Sequence, residues 1–126
     1  MTNARRIWFL IGFIGALLNV CALCHAYTLD EWVDAIFEAE GGEKATYLYG
    51  IRSIPYDTPA QARQYCKNTV YNTLIKYRTI RCKDGESDID CMARRYCPVG
   101  SDTDNGTCRH WKKNVQWFLN ESEVSK

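Results

Sequence analysis

The sequence predicts a small, mainly helical domain held by disulfides, and three features carry that expectation. Apolar residues recur at three- and four-residue spacing through most of the chain after residue 27. Hydroxyl residues suited to capping, Thr28, Thr58 and Ser87, stand at the heads of three of those stretches. Five cysteines fall between residues 66 and 108 with no Cys-x-x-Cys pair among them.

The first 26 residues belong to a different class. Arg5 and Arg6 precede an apolar run from Ile7 to Cys24, which ends at Cys24-His25-Ala26 with small residues where signal peptidase reads. This is the pattern of a secretory leader, so residues 1–26 are expected to be removed and Tyr27 to begin the mature chain. A run of this length is close to the ~20 residues of a spanning helix, which makes an uncleaved anchor the rival. Asn19, Cys21 and Cys24 weaken its far end.

The expected mature chain, residues 27–126, is a single domain, since no linker, repeat or low-complexity stretch divides it. Of 16 lysines and arginines, Arg5 and Arg6 leave with the leader, so 14 face 15 acidic residues and the mature charge is −1. That balance gives no reason to expect nucleic acid as a partner. No stable membrane insertion is expected after cleavage, and the location is periplasmic or secreted.

Cysteine usage agrees with export. Seven cysteines fall to five, Cys66, Cys82, Cys91, Cys97 and Cys108, when Cys21 and Cys24 are lost. An exported domain of this size uses such residues as disulfides. The zinc reading lacks its ligand spacing, because His110 is the one histidine left. No metal and no cofactor is expected. The odd cysteine becomes a buried thiol or an intermolecular bridge.

About four helices follow in order. Thr28-Leu29-Asp30-Glu31 has capping-box spacing, with Leu29, Trp32, Val33, Ile36 and Phe37 on one face and Asp30, Glu31, Asp34 and Glu38 on the other. Gly41-Gly42 stops this helix. Residues 41–57 are irregular, with room for a short hairpin around Tyr47, Tyr49, Gly50 and Tyr56. Thr58-Pro59-Ala60-Gln61 opens a second helix of about five turns, with proline at its first position and Ala62, Tyr65, Cys66, Thr69, Thr73 and Tyr77 at helical spacing. Ser87 caps a third, carrying Ile89, Met92, Ala93 and Tyr96 inward until Pro98 ends it. A polar connector leads to a last helix with Trp111, Val115, Phe118 and Leu119 as its stripe, and residues 121–126 should fray.

One residue departs from this pattern. Glu40 lies four residues beyond Ile36 and three beyond Phe37, so the helical period puts it on the apolar face. Burial and the negative end of the helix dipole both favour its neutral acid form there, the form a general acid needs. The side-chain-free glycines after it would let a substrate approach. Tyr47, Tyr49 and Tyr56 are candidate walls of a saccharide groove, since their rings stack on sugar faces while the hydroxyls bond to sugar oxygens.

The stretch Ala35-Ile36-Phe37-Glu38-Ala39-Glu40-Gly41-Gly42, followed by Tyr49-Gly50-Ile51, resembles the active-site opening of the lysozyme-like muramidases and lytic transglycosylases. In that superfamily a Glu ends a helix and a Gly-Ile or Gly-Leu step follows across the cleft. Arg95-Tyr96-Cys97-Pro98 and Trp111-Lys112-Lys113-Asn114-Val115 resemble small phage- and mobile-element-borne members. The resemblance implies a lysozyme-like helical fold, a peptidoglycan glycan strand as substrate, Glu40 as the acid on the glycosidic oxygen, and Tyr47, Tyr49, Tyr56 and Ser53 as glycan-holding residues. Cys66 is expected to pair with Cys97, since both come on or at the inner edge of facing helices and both fall in segments that resemble the superfamily, with Cys82–Cys91 then closing a local loop and Cys108 left over.

Two departures narrow the chemistry. None of the nine residues between Glu40 and Gly50 is an aspartate, so a second carboxylate would have to come from Glu43 or Asp57. Arg52-Ser53 stands where transglycosylases carry a Gln. A single acid fits a lytic transglycosylase best, since the substrate's own acetamido and 6-hydroxyl groups can replace the missing carboxylate and water. The rival class is a non-catalytic envelope protein: a glycan-binding module, an inhibitor, or a secretion-apparatus component with a cell-envelope protein partner.

Overall fold

A computed structural model describes residues 26–126, and the expected leader before Ala26 lies outside the described residues. Among the described residues there are five α-helices: α1 (Leu29–Ala39), α2 (Pro59–Tyr71), α3 (Arg78–Arg81), α4 (Asp88–Tyr96) and α5 (Cys108–Val124). No strand occurs among the described residues. The 41–57 loop contains 3₁₀ turns at Gly42–Lys44 and Leu48–Gly50 in place of a hairpin.

Helix α1 starts as its capping box requires. Thr28 Oγ1 accepts from the Glu31 N–H at 3.2 Å, and Glu31 accepts from the Thr28 N–H at 2.7 Å. At α2 only half of that reciprocity forms. Thr58 accepts from the Gln61 N–H, but Gln61 reaches one residue further back, to the Asp57 N–H at 2.7 Å. Ser87 caps α4 through the Asp90 N–H.

Helix α2 continues through a wide π turn, Asn72–Lys76, so the helical path from Pro59 runs about the expected five turns. Its inner stripe is Ala62, Cys66, Val70, Thr73 and Leu74. Val70 and Leu74 take the core side that sequence spacing had given to Tyr65, Thr69 and Tyr77, which are half-buried. The last helix does not fray at residue 121. It runs to Val124 because Ser122 and Ser125 hydroxyls donate to the Leu119 and Glu121 carbonyls, and because Lys126 pairs with Glu31 in the first turn of α1.

Packing centres on α1, which lies chiefly against α5 and next against α2. Val33, Ile36, Val70, Met92, Val115 and Leu119 are fully buried, each worth about 1.5–3 kcal/mol of transfer free energy. The acidic face of α1 is used as well: Asp34 accepts from Arg63 at 2.6 Å, and Asp30 from Lys67 at 3.0 Å, which ties α1 to α2.

The covalent links correct half of the expected pairing. Cys82–Cys91 forms as expected, but Cys97 bonds to Cys108, and Cys66 is the free thiol. The reason is the connector between α4 and α5. Asp104 accepts from the Gly100, Gly106 and Cys108 N–H groups, folding residues 98–107 back so that the Cys97 and Cys108 α-carbons stand 5.1 Å apart. Those bonds hold the Asp104 carboxyl below its usual range. Cys66 sits in the core, where burial pushes its thiol up to about 12. Two disulfides are consistent with a location outside the reducing cytoplasm. No helix among the described residues is long and apolar enough to cross a membrane.

Candidate active site

Glu40 occupies the C-cap of α1, its N–H still bonded to the Ile36 carbonyl at 3.0 Å. The two glycines after it turn the chain, with φ +108° at Gly41 and +60° at Gly42. Neither opens a path to the carboxyl group: Gly42 is buried, and a Cβ on Gly41 would meet Ala45. The glycine that touches Glu40 is Gly50. A Cβ there would lie 2.7 Å from Glu40 Cδ and 2.8 Å from Oε2, and its φ is +67°. The Gly50 backbone is thus one wall of the carboxylate's seat, and no larger residue fits.

The opposite side comes from α5. Trp111 donates its indole N–H to Glu40 Oε1 at 2.8 Å, which fixes the side chain with Oε2 against Gly50. Trp111 itself is buried and stacked on Tyr96, ring centroids 5.3 Å apart at 21°. The Tyr96 hydroxyl donates to the Tyr49 carbonyl and lies 3.7 Å from Cys66 Sγ. Tyr49 is itself a left-handed residue at φ +57°, a conformation that costs a non-glycine residue energy and persists only where its surroundings hold it. Tyr96 therefore braces both groups that touch Glu40. Desolvation in this setting raises the Tyr96 phenol strongly, so it acts as a fixed donor.

Glu40 and Gly50 open on a cleft of about 240 Å³. Arg52 and Ser53 of the 41–57 loop line it, together with Tyr96 at the end of α4 and Pro98, the Cys97–Cys108 bridge, Thr103, Asn105 and Thr107 of the following connector. Glu40 is its sole carboxylate among the described residues; neither Glu43 nor Asp57 lines it. The hydroxyls and amide around one acid are suited to a polyhydroxylated ligand.

Of the expected site residues, the structure brings Glu40 and Ser53 together and places the tyrosines elsewhere. Tyr49 is 6% exposed and packs on Phe37 at 5.0 Å. The Tyr56 hydroxyl accepts from the Leu48 N–H at 2.9 Å, holding the loop from within. Tyr47 is exposed, with the Arg52 guanidinium over its ring at 5.3 Å. Aromatic residues in a small domain are drawn into its core because each buries a large apolar area, and two of these three serve that end.

Trp111 and Tyr96 are the partners that sequence spacing did not single out. Both read as core stripe residues, and their polar atoms meet Glu40 and Tyr49 only across 71 and 47 residues of chain. The available signal was chemical: a buried Trp or Tyr needs an acceptor for its N–H or O–H. Comparison with protein-family models, curated proteins and solved structures returns no match.

Proposed function

We propose that the chain is an exported, lysozyme-like protein that cleaves the glycan strand of peptidoglycan as a lytic transglycosylase, with Glu40 as its acid and base. The observation that carries this reading is a single carboxyl group lining a cleft, pinned on one side by Trp111 and seated against backbone on the other. Glu40 protonates the glycosidic oxygen as that bond breaks. The resulting carboxylate then takes the proton of the sugar's own 6-hydroxyl as its oxygen attacks C1, closing a 1,6-anhydro ring and restoring the acid. No water and no second carboxylate enter, which matches a cleft lined by one acid. Ser53, Asn105 and Thr103 offer hydrogen bonds to sugar hydroxyls.

The rival reading, a non-catalytic envelope protein, draws on two observations: the expected tyrosines do not line the cleft, and its volume of about 240 Å³ falls below the several hundred usual for ligand sites. Digestion of purified peptidoglycan followed by mass spectrometry separates the cases. Anhydro-muropeptides are expected; reducing ends would mean hydrolysis, and absence of product would favour the binding protein. Glu40→Gln keeps the shape but cannot give up a proton, so turnover should fall ~10²–10⁴-fold. Exposed Glu38→Gln should leave it unchanged. Equal activity in wild type and Glu40→Gln would remove Glu40 from the reaction.

A further inference from the structure

The disulfide that walls the cleft also borders a second groove. Cys97, Pro98 and Cys108 line both, and the second, of about 320 Å³, lies between the end of α4 and the start of α5. That groove contains Arg94, Arg109 and Lys112 and no carboxylate. One turn on, Lys113 and the exposed Trp117 extend the same face of α5.

The cations differ in their engagement. Arg94 is held by Glu86 at 2.8 Å, and Lys112 pairs with Asp90. Arg109 and Lys113 have no carboxylate within ion-pair distance among the described residues. Asp104 feels the charge of Arg109, but its oxygens are occupied by three backbone N–H groups. A mature chain with a charge near zero thus keeps Arg109 without a carboxylate partner in a groove that shares a wall with its acid cleft, and Lys113 one turn further along α5.

We propose that this groove receives the carboxylates of the peptide stems borne by the glycan strand, with Arg109 inside it and Lys113 beside it, one turn along α5, as their counter-charges. This inference rests on the peptidoglycan reading. A strand whose sugar enters the Glu40 cleft carries its stems beside the scissile bond, and this groove lies next to the cleft across their common wall of Cys97, Pro98 and Cys108. The stems' carboxylates are anionic at neutral pH, which complements the groove. Attraction between such partly exposed groups gives selectivity and faster encounter more than raw affinity, and it is screened by salt.

The test uses Glu40→Gln protein, so that binding is measured without turnover, against intact stem-bearing strands and against strands stripped of stems by an amidase. The stem-bearing strands should bind about tenfold more tightly at low salt, and the margin should shrink at high salt. Adding Arg109→Gln and Lys113→Gln should collapse the ratio toward one. Circular dichroism should show the fold intact, as both side chains are exposed. Equal binding of the two strands, an unchanged ratio in the charge variant, or a ratio indifferent to salt would each overturn the proposal. So would tight binding to vesicles of anionic lipid that the charge variant loses, because the face would then serve a membrane. Failure of the enzymatic reading would appear separately, as Glu40-independent digestion in the catalytic assay.

Discussion

The two walls of the acid cleft are held in opposite ways. The 41–57 wall has no covalent link to the rest of the domain. It depends on Gly50 fitting against Glu40, on the Tyr49 carbonyl accepting from Tyr96, and on the Tyr56 hydroxyl inside its own loop. The 97–108 wall is closed by a disulfide and by one aspartate that collects three backbone N–H groups. The first is specific to shape: a single atom added at Gly50 would meet Glu40. The second is specific to redox state and to one side chain, since its closure lies in the disulfide and in the Asp104 carboxylate.

The sharpest way to break the first wall is Gly50→Ala. Its left-handed backbone costs an alanine about 1–2 kcal/mol, and the new methyl would stand 2.7 Å from Glu40 Cδ. Glu40 must then move, and an ångström of misplacement costs about 10²-fold in turnover. Activity should therefore fall far more than denaturant stability. Wild-type turnover in the Gly50→Ala variant would show that the wall yields and that the close fit is unimportant.

The second wall should respond to chemistry and not to shape. Removing it with Cys97→Ser and Cys108→Ser frees an 11-residue separation and should cost about 2–3 kcal/mol in urea unfolding. The single variant Cys108→Ser separates the two possible pairings, because it should cost as much as the double variant with the Cys97–Cys108 bridge and nothing with a Cys66–Cys97 bridge. Peptide mapping without reductant should recover Cys97 linked to Cys108 and Cys66 unlinked.

The smallest effect lies at the other staple. Glu86 accepts from Arg94 and from the Lys83 N–H, which hold its carboxyl down at about 2. A depressed carboxyl contributes stability that is present above its ordinary value near 4.5 and is lost as pH falls towards 2. Wild type should weaken through that window, and Glu86→Gln should weaken less steeply in an acid titration followed by circular dichroism. Identical slopes would mean that these bonds contribute nothing to the 82–91 loop.

What the sequence determined by itself was local. Thr28, Thr58 and Ser87 open their helices because a cap is a bond between a side chain and a backbone group three residues away. Glu40 could be singled out because helical period alone places it beside Ile36 and Phe37. The Cys82–Cys91 link, expected as what remained beside a Cys66–Cys97 bridge, forms even though that bridge does not.

Everything that makes Glu40 a site was decided by tertiary structure. The Trp111 donor, the Gly50 contact and the Tyr96 brace join segments that no period relates. The fate of the tyrosines went the same way, because composition marks an aromatic ring as a candidate wall and only packing decides whether it faces the core or the cleft. Cys97 could reach Cys66 or Cys108 on spacing. The backbone bonds of Asp104 bring one α-carbon within 5.1 Å, and the bridge follows the folded chain rather than the helix face. Side-chain chemistry is written in the sequence; the pairing of distant groups depends on how the closed core excludes every other arrangement.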